Sequence, residues 1–179
     1  MSKHVTVHVH FLPNPSRLSH RFPNLESLTL ESFSHGFNTA EKCLIPFTPW
    51  IHEIAVKFEC LKSLYIRNMV MSPSDLKRLA ATRGANLRSL EIRGCKMFLE
   101  DGLVDIARYC IDLRSFHLQY NSIENDNMPN GKWLHELALC NTVMESLNFL
   151  DLFDRYDIKD VTRLAKKCSN SLVSLNIFP

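Results

Sequence analysis

The sequence predicts an α/β protein in which a short strand and a helix alternate along the chain as a repeating unit. Three observations carry that expectation. One strand-like motif recurs six times, a helix-like motif is registered between its copies, and every insertion longer than one residue falls at the same point of the unit. The first motif is Leu-x-Ser-Leu-x-Leu with small variations, starting at Leu25, Leu61, Leu87, Leu113, Met144 and Leu172. The starts are separated by 36, 26, 26, 31 and 28 positions. Serine holds the third place in each copy, as Ser27, Ser63, Ser89, Ser115, Ser146 and Ser174.

Within each copy the apolar residues alternate. Leu64 and Ile66, for example, point to one side of a strand and the residues between them to the other. The second motif has apolar residues at i, i+3 and i+4, which share one helical face. Its copies are Ile51-x-x-Ile54-Ala55, Leu76-x-x-Leu79-Ala80, Leu103-x-x-Ile106-Ala107, Leu134-x-x-Leu137-Ala138 and Val161-x-x-Leu164-Ala165. The alanine lets the helix approach the strand layer closely. Ser72-Pro73-Ser74-Asp75 reads as a helix start, with Ser72 capping, Pro73 in the first turn and Asp75 returning a bond.

Neither element can bury its apolar face alone, but stacked units bury each other's. This arrangement is a leucine-rich-repeat solenoid of about five to six repeats, a curved parallel sheet inside and helices outside. Residues 25–179 form the repeats, and residues 1–24 are expected to pack as a cap. The step from helix alanine to the next motif is always 6 or 7, whereas the step from strand to helix is 23, 12, 13, 18 and 14. Insertions therefore gather on one rim, the longest being Glu31 to Trp50 and Gln119 to Trp133, and extra loops on one edge mark a binding face.

Composition narrows the function classes. The chain has 179 residues, 22% charged and 45% hydrophobic, with a net charge of +2. That balance argues against nucleic acid or an acidic membrane as the partner. No apolar run approaches the roughly 20 residues of a membrane span, and the start lacks the apolar stretch of a secretory signal. Cys60, Cys110 and Cys168 each precede a leucine motif. Together with Cys43, Cys95 and Cys140 they read as free, buried structural thiols of a reducing compartment.

The outward strand positions form columns. The first is the serine column. The second is Thr29, Tyr65, Glu91, His117, Asn148 and Asn176, and the third is Glu31, Arg67, Arg93, Gln119, Leu150 and Phe178. Tyr65 and His117 either stack on a ligand or cover neighbours. Arg67 and Arg93 should lie side by side, either as an anion contact or as a solvated pair balanced by Glu31, Glu91 and water. Leu150 and Phe178 are apolar for such positions and either face a partner or lie under further repeats.

Catalytic signals are missing. His8-x-His10 aims two imidazoles the same way but no third ligand accompanies them. His135-Glu136 lacks the second histidine of a zincin. No nucleophile elbow, phosphate-binding glycine loop or Cys-x-x-Cys occurs. The chain is not expected to be an enzyme.

Longer words of the sequence carry a resemblance. They are Arg17-Leu18-x-x-Arg21-Phe22-Pro23-Asn24-Leu25, Thr48-Pro49-Trp50-Ile51, Asp101-Gly102-Leu103 and Gly131-Lys132-Trp133-Leu134-His135-Glu136-Leu137-Ala138. Together they resemble the plant coronatine-insensitive family of F-box, leucine-rich-repeat proteins, the jasmonate receptors. The resemblance implies a substrate-recognition component of an SCF-type ubiquitin ligase in jasmonate signalling, in the nucleus or cytoplasm. Its implied ligands are jasmonoyl-isoleucine, a repressor degron peptide and a supporting inositol phosphate.

Departures from the family pattern temper this. His4-Val5-Thr6 matches the segment after the F-box, so a Skp1-type adaptor is not expected as a partner. The family's repeats continue past Phe178-Pro179, and most of its hormone contacts lie there. Phe37 stands for a hormone-contacting phenylalanine, in a loop without the family's arginine. Arg67, with Arg93 beside it, stands for the phosphate contact. Asn68 replaces a second basic residue and Glu31 a lysine, so no cofactor is secured. The alternative is a short, non-catalytic interaction module or decayed duplicate that does not bind hormone. A solenoid ending at a strand is expected to be marginal and prone to associate.

Overall fold

Each leucine motif forms a strand and each apolar triplet a helix. The structure, a computed structural model, describes residues 3–10, 14–32, 45–96, 100–120, 130–150 and 156–178. The chain order is β1 (His4–His8), α1 (Ser16–Arg21), β2 (Ser27–Glu31), α2 (Thr48–Lys57), β3 (Ser63–Arg67), α3 (Pro73–Arg83) and β4 (Ser89–Cys95). It continues with α4 (Glu100–Tyr109), β5 (Ser115–Tyr120), α5 (Lys132–Cys140), β6 (Ser146–Leu150), α6 (Ile158–Lys167) and β7 (Ser174–Phe178).

The strands make one parallel sheet in the order β1-β2-β3-β4-β5-β6-β7. Every strand from β2 to β7 starts at the motif serine, and the serines are register partners along the sheet. The backbone accounts for this shared start. The carbonyl of Glu26 accepts from the N–H groups of both Lys62 and Ser63, at 2.8 and 3.0 Å. Lys62, Arg88, Arg114 and Glu145 repeat the arrangement with the next unit. The residue before each serine thus pins its neighbour's register. Strand β1 lies outside the motif reading, because it has no leucine signature. It joins through Val5↔Leu28 and Val7↔Leu30, in the segment expected as a cap.

Burial follows the two periodicities. Leu28, Leu30, Leu64, Ile66, Leu118, Leu147 and Phe149 are fully buried, as are Ile51, Ile54, Leu76, Leu79, Leu103, Ile106, Leu134 and Leu137. Both sets meet in one continuous core. The motif alanines Ala80, Ala107 and Ala138 are buried there, whereas Ala55 and Ala165 are half-buried. Each large apolar group buried this way stabilises the chain by about 1.5–3 kcal/mol before the ordering cost. At β7 the cover thins, and Leu175 and Ile177 are only partly buried.

Two local features set the helix positions. At the start of α3, the Asp75 carboxylate accepts from the Ser72 N–H at 2.7 Å, the return bond the sequence predicts. It also accepts from the Thr48 hydroxyl at 3.1 Å, linking two helix starts. In α4, a Cβ on Gly102 would come within 2.9 Å of Leu76 Cβ, so glycine lets α3 and α4 touch. Trp133 enters the core edge-on between Phe116 and Phe149, with ring centroids 5.7 and 5.6 Å away.

One cysteine expectation is corrected. Cys95, Cys110 and Cys168 are buried free thiols, but Cys60 is exposed and Cys140 only half-buried. Counting back from the motif explains it. Cys110 lies three places before Leu113, and the same place before Leu61 is Phe58, which is fully buried. Cys60 instead sits immediately before Leu61, on the turn's outer side. At the matching place before Met144, Asn141 is fully buried and donates to the Leu113 carbonyl at 2.8 Å. Cys43 and the larger part of both long insertions lie outside the described residues.

Candidate functional site

With one sheet face sealed by helices, chemistry is left to the other, here called the open face. The strands deliver its columns in the predicted register. Thr29↔Tyr65, Tyr65↔Glu91, Glu91↔His117, His117↔Asn148 and Asn148↔Asn176 are partners. So are Glu31↔Arg67, Arg67↔Arg93, Arg93↔Gln119 and Gln119↔Leu150. Neighbouring members of a row are therefore about 4.8 Å apart at the backbone.

Arg67 and Arg93 share this row but differ in partners. Arg67 Nε donates to Glu91 Oε1 at 2.7 Å across the strand pair, and the Glu91 side chain is only 14% exposed. That bond is the main reason the Arg67 guanidinium titrates above its ordinary value, with the charge of Glu31 adding to it. The Arg93 residue is exposed, and its side chain makes no ion pair or hydrogen bond among the described residues, although its carbonyl accepts from the Asn68 N–H at 2.9 Å. Leu150 is half-buried on β6. Phe37 lies outside the described residues.

Asn68 follows Arg67 with a φ of 56°. That left-handed conformation suits asparagine better than any β-branched or bulky residue. Its side-chain amide donates to the Ser32 carbonyl at 3.1 Å, so this residue closes the strand. At the first strands, His4 Nδ1 lies 2.7 Å from the Ser27 hydroxyl, His8 Nδ1 lies 3.7 Å from Glu31 and His10 Nε2 lies 3.1 Å from the Ser32 hydroxyl. No group of three metal-binding side chains occurs among the described residues. No helix among them is long and apolar enough to cross a membrane.

Sequence reasoning left His117 either to stack on a ligand or to cover neighbours, and missed what surrounds it. His117 Nε2, Gln119 Oε1 and Asn148 Oδ1 are buried without a hydrogen-bond partner. Burial pushes the His117 imidazole below its ordinary value, opposed by Glu91 and assisted by Arg93 and Arg67. Burial therefore favours the neutral form of the ring. The column positions were readable, but the sealing of single polar atoms depends on neighbouring side chains.

Comparison with known proteins gives a consistent family. The chain is 38% identical over 184 residues to "Coronatine-insensitive protein 1" of Arabidopsis thaliana, a match covering 98% of this chain. It is 39% identical over 181 residues to "Coronatine-insensitive protein homolog 1a" of Oryza sativa subsp. indica. Identity falls to 30% over 172 residues with "GRR1-like protein 1" of Arabidopsis thaliana. The chain spans 30%, 29% and 28% of the length of these three relatives. No protein-family model matches the chain.

Proposed function

The chain is a homologue of the coronatine-insensitive proteins over 98% of its length, and from that premise we propose a role in hormone-dependent substrate recognition. It contributes repeats to an F-box, leucine-rich-repeat receptor that presents a repressor degron to an SCF-type ubiquitin ligase in response to jasmonoyl-isoleucine. The work proposed for it is binding rather than catalysis. The observation that carries this reading is the near-complete match at 38–39% identity, against 30% for the GRR1-like relative. In this reading Arg93, with the free edge of Arg67, meets an inositol phosphate, and Phe37 belongs to the hormone pocket.

The test recovers the tagged protein, expressed from its own locus, from plant cells with and without jasmonoyl-isoleucine. Expected is hormone-dependent recovery of the repressor degron. Intact protein that recovers the degron equally without hormone, or never, overturns the receptor reading.

A second reading has its own support. Glu91 occupies the Arg67 guanidinium and Glu31 is its register partner, so the basic row is partly neutralised. A repeat module that binds protein without hormone or polyphosphate fits that charge pattern. A specific protein partner recovered without hormone favours it.

A further inference from the structure

We propose that the open face over β5 and β6 holds a recognition subsite for amide N–H groups of an extended polypeptide segment from a partner protein. It is formed by His117, Gln119 and Asn148. The subsite stands on these two strands alone and does not depend on hormone binding.

Three facts converge on it. First, among the described residues these are the side chains with a buried nitrogen or oxygen left without a partner. Sealing such an atom away from water without a hydrogen bond is costly, and native proteins leave few uncompensated. Second, they are neighbours. His117 and Asn148 are register partners, and Gln119 lies two residues along β5 on the same face, one row from both. The three backbone positions thus fall within one patch about 8 Å across. Third, each side chain is half-buried rather than enclosed. The terminal torsions of histidine, glutamine and asparagine are soft, so a turn of the tip meets a ligand without moving backbone.

The chemistry of the patch selects the ligand class. The orphan atoms are two carboxamide oxygens, which accept, and one nitrogen of the His117 ring, which accepts or donates with the tautomer. The two oxygens ask for donors and disfavour an anion. Arg67 and Arg93 bear on His117 from the β3 and β4 side, while the Glu91 carboxylate is already taken by Arg67. A cationic donor therefore gains little there. Neutral amides remain, and they also offer carbonyls to the NH2 groups of Gln119 and Asn148. A polypeptide backbone supplies such amides in series, at a spacing per residue close to that of a strand. The half-buried Leu150, register partner of Gln119, gives an apolar neighbour for one of its side chains.

The test uses the whole chain, isotope-labelled, with two probes of defined chemistry: acetamide and the capped peptide acetyl-Gly-Gly-Gly-amide. NMR follows the His117 ring nitrogens and the side-chain amides of Gln119 and Asn148. Expected are saturable shifts at all three with both probes, the peptide binding at least about fivefold more tightly through its additional amides. Inorganic phosphate and methylguanidinium at equal concentration should move the signals less. No saturable shift, or larger shifts with either ion, overturns the proposal. Equal affinity for acetamide and the peptide overturns the polypeptide assignment.

A variant gives an independent arm. Asn148→Leu combined with Gln119→Met removes two orphan oxygens. It should raise Tm by about 2–4 °C and cut probe affinity at His117 at least about fivefold. A lowered Tm with probe affinity retained overturns it.

Discussion

Arg67 illustrates how one cross-strand bond sets a residue's use. Its guanidinium is held by Glu91 at 2.7 Å, so a bound phosphate would have to compete with a carboxylate already in place. Removing that competitor should therefore strengthen anion binding. Glu91→Gln is expected to raise affinity for inositol hexakisphosphate about tenfold in titration calorimetry. Arg93→Ala in that background should reverse much of the gain. No change in either variant would mean the row is not an anion site.

The thiols give a second residue-scale expectation. Burial pushes Cys95 and Cys110 up to about 12, while Cys60 is exposed. The thiolate is the reactive form, so native protein should alkylate first at Cys60 and leave Cys95 and Cys110 unreacted until it unfolds. Because the folded state holds these protons above the ordinary thiol value of 9.0, the linked stability is complete below pH 9. It is lost as pH rises from 9 towards about 12. A chemical-denaturation midpoint that fails to fall over that range would contradict it.

At the scale of elements, close helix contact depends on small residues at chosen places. Gly102 faces Leu76 across the α3–α4 contact, where even a methyl group meets Leu76 Cβ at 2.9 Å. Gly102→Ala should destabilise by about 1–3 kcal/mol through overpacking, despite alanine's better helix propensity. Urea unfolding with an unchanged or higher midpoint would show that α4 can shift freely. The register of the strands is a separate matter. It is pinned by the carbonyls before each serine and by Asn141, which braces the Leu113 carbonyl from beneath.

For the whole molecule, the repeat logic makes each unit the cover of its neighbour. Leu64 and Ile66 are fully covered on β3, while the equivalent Leu175 and Ile177 on β7 are partly exposed and Val173 is 88% exposed. A polypeptide of these 179 residues should therefore associate as its concentration rises. Sedimentation is expected to show a growing mass, and Val173→Lys with Ile177→Lys should return it towards monomer. A concentration-independent monomer before substitution would refute this.

Most of the fold was legible in the sequence because two short periods, one of alternation and one of helical turns, recur in fixed phase. Strand register, the helix faces and the open-face columns all follow from that phase. Cys60 was misplaced because nearness to a motif is not the same as position within it, and one residue of offset turns a side chain outward. Strand β1 was hidden because His4, Thr6 and His8 carry no leucine signature. The pairing of Arg67 with Glu91, and the orphan atoms of His117, Gln119 and Asn148, were out of reach for a different reason. A repeating sequence determines which face each side chain occupies, since that is a property of backbone period. Which polar tip is partnered and which is sealed away is decided only when side chains from adjacent strands compete for the same few ångströms, and that competition exists only in the tertiary structure.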